Sequence, residues 1–351
     1  MKSKTRVVRI GKIAIGGANP IAVQSMTNTP TTDVKKTVEQ VMQLVEAGCE
    51  IVRIAVPDMN AVSAMAQIRK ETNDIPLVAD IHYDYRLAIA VMPYVDKVRI
   101  NPGNIGGLDK FAVVVKEAKD HGLSLRIGVN SGSLEPGLPK TPEGMAQSAV
   151  RWASYAENLD FYNIVLSAKM SDPLNTIKTY KLISEKLDYP LHIGVTEAGD
   201  RYSGAIRSAV ALGILLYQGI GDTIRVSLTG DPVYEVHAAY EILNSLNLRR
   251  RGVWITSCPT CARTTIDVEG LVYGIKNATS HIKEPIHIAV MGCPVNGPGE
   301  AQEADIGITG AAGVAMIFRG GKIIRRIPKE EAITALLEEI EKMKKEEAIA
   351  K

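Results

Sequence analysis

The sequence predicts an α/β protein: a parallel (β/α)8 barrel of the TIM-barrel class, followed by a smaller α/β domain. Two observations carry the barrel. Eight short β-branched runs recur along the first two thirds of the chain, and a helical pattern separates each from the next. Repeated strand–helix units of this kind close into a barrel with helices outside. A third observation carries the second domain. After the eighth repeat the period breaks at Asn247-Leu248-Arg249-Arg250-Arg251-Gly252, and three of the four cysteines lie beyond it. The expected domains are therefore 1–248 and 249–351.

Taken in order, residues 6–17, ahead of the first barrel strand and ending on paired glycines, read as a hairpin plugging the bottom of the barrel. The eight predicted strands are 21–24, 51–56, 77–80, 98–101, 125–130, 163–167, 192–196 and 223–227. Among the helices, the pattern over 37–45 stops at Ala47-Gly48, and one beginning near Ala205 stops at Gly219. Glycine just past the last periodic residue is the expected terminator. A helix at about 233–246 completes the barrel. The second domain reads as a strand up to Cys258, a helix near 269–278, a strand up to Val290, a hairpin around Arg319-Gly320-Gly321-Lys322 and a charged helix from Lys329.

Composition excludes several classes. The 351 residues are 46% hydrophobic and 23% charged, which is enough for two domains and a large core. A net charge of +2 argues against nucleic acid as a partner. The longest apolar run, near 209–217, is too short for a bilayer, and no signal-like segment follows the charged N-terminus. Four unevenly spaced cysteines form no disulfide framework, so a reducing cytoplasm is expected. Cys49 reads as a buried small hydrophobe.

Catalytic groups in such barrels sit at the C-terminal ends of the strands. Here those ends carry Arg53, Asp80 with His82, Arg99 with Asn101, Arg126 with Asn130, Lys169, Glu197, and Arg225 with Ser227. Strands covered on both faces are ordinarily apolar throughout, so five cations at their ends are not a packing pattern. Enclosing them is unfavourable unless an anion joins them, and the fit is to a polyanion the size of a diphosphate. The competing reading is ion pairing with Asp80, Glu197 and helix-face acids. Three or four of the five cations are expected to face a ligand.

The cysteines stand in Cys258-Pro259-Thr260-Cys261 and in Cys293-Pro294-Val295-Asn296-Gly297-Pro298-Gly299-Glu300. Three thiolates and two Pro/Gly turns suit an iron–sulfur cluster with one irregular position. A structural Cys₃His zinc site drawing on His281 or His287 is the serious rival, and a redox dithiol the third reading.

These motifs, with Gln24-Ser25-Met26-Thr27-Asn28-Thr29, Val98-Arg99-Ile100-Asn101-Pro102-Gly103-Asn104 and Thr196-Glu197-Ala198-Gly199, closely resemble the 4-hydroxy-3-methylbut-2-enyl diphosphate synthase family over nearly the whole chain. The chain is similar to its compact bacterial form, having no room for the middle insertion of the plant type. The resemblance implies reductive ring opening and dehydroxylation of 2-C-methyl-D-erythritol 2,4-cyclodiphosphate. It implies a [4Fe–4S] cluster on Cys258, Cys261, Cys293 and Glu300, whose carboxylate, a weaker ligand than thiolate, leaves one iron open. Arg53, Arg99, Arg126 and Lys169 then hold the diphosphate, and Glu197 delivers a proton. Asp80, His82, Asn130, Arg225 and Ser227 are further contacts. Ferredoxin or flavodoxin would supply electrons to a head-to-tail homodimer. The alternatives are a zinc-dependent barrel lyase or hydrolase for a phosphorylated metabolite, and a non-catalytic iron–sulfur sensor. The barrel alone also suggests a pterin-synthase-like relative.

Overall fold

The first ordered element seals one end of the barrel. Strands β1 (Val8–Ile10) and β2 (Ile13–Ile15) pair antiparallel, with Val8 opposite Ile15. Val8, Ile10 and Ile15 pack on Ala22, Ile51, Val78 and Val165, which lie at or near the beginnings of four barrel strands. The predicted hairpin plug is thus present, in a computed structural model that describes residues 5–295, 301, 303–311 and 313–350.

The barrel strands are β3 (Ala22–Met26), β4 (Ile51–Ala55), β5 (Leu77–Ile81), β6 (Lys97–Ile100), β7 (Ser124–Asn130), β8 (Ile164–Lys169), β9 (His192–Ile193) and β10 (Thr223–Ile224). They pair in parallel in the order β8-β7-β6-β5-β4-β3-β10-β9, and a bridge between Leu166 and Leu191 closes the ring. The last two strands are far shorter than predicted. Beyond Ile193 the chain turns into a loop with Glu197 at φ 54° and Gly199 at φ 120°, which no ladder accommodates.

Helices α1 (Val34–Ala47), α2 (Met59–Thr72), α3 (Tyr85–Val91), α4 (Leu108–Asp120), α5 (Pro142–Glu157), α6 (Pro173–Ser184), α7 (Arg201–Tyr217) and α8 (Val233–Ser245) follow the strands. Five begin on an aspartate whose carboxylate accepts a first-turn N–H: Asp33, Asp58, Asp84, Asp172 and Asp200. Each such cap stabilises its helix by about 1 kcal/mol and fixes where it starts. Gly48, at φ 109°, ends α1 as expected.

After α8 the chain returns to the hairpin end. Arg249 donates to the Ile21 carbonyl and to the Glu50 carboxylate, just before β3 and β4. One compact unit ends at Arg249 and a second begins at Arg250.

The second unit holds β11 (Val253–Ser257), α9 (Val268–Ala278), β12 (Ile286–Met291), β13 (Ile306–Ala311), β14 (Val314–Arg319), β15 (Lys322–Pro328) and α10 (Ala332–Ala350). Its sheet runs in sequence order, the first three strands parallel and the rest antiparallel. The sequence pattern does not single out β13, because Gly307 and Gly310 dilute its apolar signal. Gly307 is required by packing: a Cβ there would lie 2.1 Å from the Phe318 ring. The terminal helix starts at Ala332, after a single 3₁₀ turn over Lys329–Glu331.

Because Ile10 is fully buried in the plug, Ile10→Ala is expected to cost the barrel about 2–5 kcal/mol. The urea midpoint of barrel unfolding, followed by Trp152 fluorescence, checks this.

Candidate functional site

Register decides which side chains enter the barrel. In a parallel pair, residues at one level share a face. Gln24 pairs with Ile51, Arg53 with Val78, Val78 with Lys97, and Lys97 with Ser124. Two residues on, Asp80 pairs with Arg99 and Arg99 with Arg126, while Asn130 pairs with Lys169. All these side chains therefore stand on the inner face that begins with Ala22, Ile51, Val78 and Val165 at the plug. His192 and Thr223 pair with each other, and Arg225 and Ser227 continue the alternation from Thr223. All five sequence-predicted cations share this face, and the Lys97 side chain stands on it beneath them.

Two carboxylates stand among them. Asp80 accepts from Arg99 Nη1 at 3.0 Å and lies 3.9 Å from Arg53 Nε. Burial alone would raise its carboxyl, but the charges of Arg53 and Arg99 and a hydrogen bond from His82 hold it well below the ordinary value. Arg99 Nη1 also lies 2.6 Å from His82 Nε2. Glu235, from the first turn of α8, is 3% exposed and takes both forks of Arg225 at 3.1 and 3.0 Å. It also accepts from Ser25 Oγ at 2.7 Å and from the Leu228 backbone N–H.

The remaining cations lack such partners. Arg126 is 1% exposed, and its Nε and Nη1 find no hydrogen-bond acceptor among the described residues, nor does Lys97 Nζ. Burial, then Arg53 and Arg99, pull Arg126 down from its ordinary value; a guanidinium nonetheless stays charged at neutral pH. Burial, then Arg225 and Arg53, lower Lys169. An unpaired buried charge costs several kcal/mol, so this interior is arranged for an anion. Two glycines make space for it. A Cβ on Gly128 would lie 2.5 Å from Arg99 Nε, and one on Gly194 would lie 2.7 Å from Lys169 Nζ.

Asn130 and Ser227 are half-buried at the rim. Glu197 is exposed there, in a left-handed backbone that a non-glycine residue adopts at a cost of about 1–3 kcal/mol. Such strain recurs where a side chain is aimed at a ligand.

In the second unit the parallel ladder aligns the two cysteine motifs. Ser257 pairs with Val290, and the Cys258 N–H donates to the Val290 carbonyl. Cys258 and Cys293 thus leave adjacent strands at one end of the sheet. The Gly292 N–H donates to Cys258 Sγ at 3.1 Å, and a backbone hydrogen bond from Arg263 lowers the exposed Cys261 thiol. Four thiols are free. No three His, Cys, Asp or Glu side chains among the described residues are gathered tightly enough to hold a metal ion. Glu300 lies outside the described residues. The donors nonetheless suit a soft metal cluster: thiols at one sheet end, one already receiving an N–H.

The zinc reading fails on geometry. His287 lies at the other end of β12 from Cys293, about 17–20 Å along the strand. Its Nε2 meets Thr256 Oγ1 at 2.7 Å, and its ring stacks on Trp254. His281 precedes β12 on that same side and is exposed.

Sequence reasoning missed Lys97, Glu235, Gln24 and His192. Lys97 follows Val95-Asp96 and reads as part of a turn, yet the period of two counted back from Arg99 marks it. Glu235 reads as an ordinary acidic residue near a helix N-terminus, and no local signal shows that it enters the barrel.

The described residues form a closed barrel with a cationic interior and a separate thiol-bearing α/β unit, the class of a two-domain enzyme built around an anion site and a soft-donor site. The model described as "GcpE TIM-barrel domain" matches residues 5–240, and "GcpE protein C-terminal domain" matches 254–342. The chain belongs to the GcpE family. A relative from Caldanaerobacter subterraneus subsp. tengcongensis, named 4-hydroxy-3-methylbut-2-en-1-yl diphosphate synthase (flavodoxin), is 55% identical over 99% of both chains. One of the same name from Ruminiclostridium cellulolyticum is 51% identical over 97% of this chain and 98% of its own. Among solved structures, dihydropteroate synthase from Burkholderia cenocepacia aligns with 69% of this chain and 96% of its own, at a TM-score of 0.52 and 14% identity. That likeness concerns the fold alone.

Glu235→Ala leaves the partly buried Arg225 among cations without its carboxylate, and is expected to destabilise the barrel by about 2–3 kcal/mol. Glu235→Gln, which keeps an acceptor, is expected to cost less. Thermal unfolding of both variants checks the order.

Proposed function

We propose that this chain is a flavodoxin-dependent 4-hydroxy-3-methylbut-2-en-1-yl diphosphate synthase acting on 2-C-methyl-D-erythritol 2,4-cyclodiphosphate. The observation that carries the reading is the buried Arg126 guanidinium with unpartnered donors, amid Arg53, Arg99 and Lys169. A diphosphate supplies the acceptors it lacks; the names of relatives at 51–55% identity give a diphosphate product and flavodoxin, and the family resemblance supplies the cyclodiphosphate substrate. In this reading the barrel, 1–248, binds substrate, and 249–351 carries the cluster.

In the reaction, two C–O bonds break, one to the ring diphosphate and one to a hydroxyl, and a C=C bond forms. Two electrons and one proton enter, and water leaves. A [4Fe–4S] cluster held by Cys258, Cys261 and Cys293, with Glu300 as fourth ligand, supplies one-electron steps from flavodoxin when bound. The chain's residues do the rest. Arg53, Arg99, Arg126 and Lys169 grip the phosphoryl oxygens and stabilise the charge that grows as the ring opens. Asp80 holds Arg53 and Arg99 in place, Glu235 holds Arg225, and His82, Asn130 and Ser227 contact the carbon skeleton. Glu197, exposed at the rim, gives a proton to the departing hydroxyl. Free thiols in such a set belong in a reducing compartment, the cytoplasm; no described helix is long and apolar enough to cross a membrane.

Anaerobically purified protein turned over with reduced flavodoxin tests these roles. Arg126→Ala is expected to weaken substrate binding at least about tenfold, as truncated buried charge pairs do. Glu197→Gln is expected to lower kcat more than it changes KM. Equal small effects would place the site elsewhere.

The reading extends to assembly. Arg249 is anchored beside the starts of β3 and β4, so the chain leaves the barrel at the end opposite the rim. The linker up to Gly252 is short. A head-to-tail homodimer, in which each cysteine unit caps the partner's rim, brings cluster and substrate together. Glu197→Ala and Cys258→Ala chains, each inactive alone, should then recover activity in mixed dimers. Proven mixed dimers without recovery would exclude shared sites.

A further inference from the structure

The floor of the barrel holds a titratable group that the reaction above leaves unused. Lys97 opens β6, is 0% exposed and stands on the inner face between Val78 and Ser124. Its Nζ has no hydrogen-bond partner among the described residues, and neither does Ser124 Oγ beside it. The hairpin beneath packs Val8, Ile10 and Ile15 against this end of the barrel.

The charged groups sharing this interior are almost all of one sign. They are Arg126 on β7, Arg53 on β4, Arg99 farther along β6, Lys169 at the end of β8 and Arg225 after β10. His192 on β9 spends Nδ1 on Thr223 Oγ1 at 2.8 Å and leaves Nε2 unpartnered. The carboxylate of Asp80 is engaged by Arg99 and Arg53, and that of Glu235 by Arg225. Burial, Arg126 and Arg53 therefore all act against an ammonium on Lys97 while the cup is empty. A doubly charged anion seated on Arg126 reverses the sign of the field that Lys97 meets.

We propose that Lys97 takes up a proton when the diphosphate enters the barrel, so that substrate and one proton bind together and the floor lysine becomes the cup's sixth cation. The inference rests on the diphosphate reading above. The step is R–NH₂ + H⁺ → R–NH₃⁺, the proton coming from solvent, with no bond made to substrate. Both phosphoryl groups of a cyclic diphosphate are strong acids, fully ionised near neutrality, so the substrate itself gives up no proton.

The sign of the pH dependence follows. A group whose pKa is higher in the complex than in the free protein binds protons on association, so affinity falls as pH rises between the two values. The slope reaches tenfold in Kd per pH unit for one whole proton. The test is calorimetric titration of the holoenzyme with the cyclodiphosphate, electron donor withheld, in buffers of different ionisation enthalpy between pH 7 and 8. Wild type is expected to take up between about one half and one proton per site, with Kd rising several-fold per pH unit. Lys97→Met should bind more weakly and take up clearly less proton than wild type, any remainder falling to Lys169, which burial, Arg225 and Arg53 also lower, while its melting temperature rises because an unpaired buried amine is gone. Lys97→Arg, charged throughout this range, should bind with the same reduced uptake. Absence of any binding by the wild-type holoenzyme overturns the diphosphate reading. Binding without proton uptake in wild type overturns the role of Lys97 alone, whether or not the variants fold, and so does uptake undiminished in a folded variant.

Discussion

Positive charge enclosed in a closed barrel is the constraint on which the rest of this structure depends. Arg53, Arg99, Arg126, Lys169 and Arg225 share one inner face with Lys97 beneath them and Asp80 among them, and Glu235 reaches Arg225 from a helix. Each unpaired buried charge costs several kcal/mol against a total stability of about 5–15 kcal/mol for an ordinary domain. The fold offsets this with a large apolar layer between strands and helices and with an apolar plug at the floor. The carboxylates are placed where they do the most: Asp80 between Arg53 and Arg99, Glu235 clasping Arg225 from a helix outside the strands. What stays uncompensated lies around Arg126, and that is where an anion gains most.

The same constraint accounts for details that packing alone does not. Gly128 and Gly194 lie on the inner face, where a larger residue would fill the barrel better. The missing Cβ of Gly128 is space in which Arg99 extends, and that of Gly194 clears both the Arg225 backbone carbonyl and Lys169 Nζ. Rigid strands hold the cationic forks in place before ligand arrives, so little reorganisation accompanies binding. The group aimed from the rim, Glu197, sits instead on a strained loop, where two short final strands release the chain from the ladder.

The second unit solves a different problem by a related device. A parallel pair of strands delivers two distant cysteine motifs to one sheet end, and the ladder bond from Cys258 to Val290 sets their relative level. The two units divide the chemistry: one holds charge, the other soft donors.

Much of this was legible along the chain. The barrel follows from eight β-branched runs and the helices between them, and the plug from residues 6–17, because strand and helix periods are local properties of a sequence. The cationic strand ends and the cysteine spacings are local too, and family resemblance turned them into a chemistry. The short β9 and β10 were not legible, since a ladder ends where the neighbouring backbone departs. Strand β13 was hidden by Gly307, whose purpose is the Phe318 ring across the sheet. Glu235 looked like any acid at a helix start until the fold brought it 210 residues back to Ser25. Lys97 lay just before the predicted strand 98–101 until register placed it beneath Arg126. Sequence by itself determined which elements form and which chemical groups the protein owns. Tertiary structure alone decided which charges face each other and which remain unpaired, because ion pairing and burial depend on distances between residues far apart in the chain.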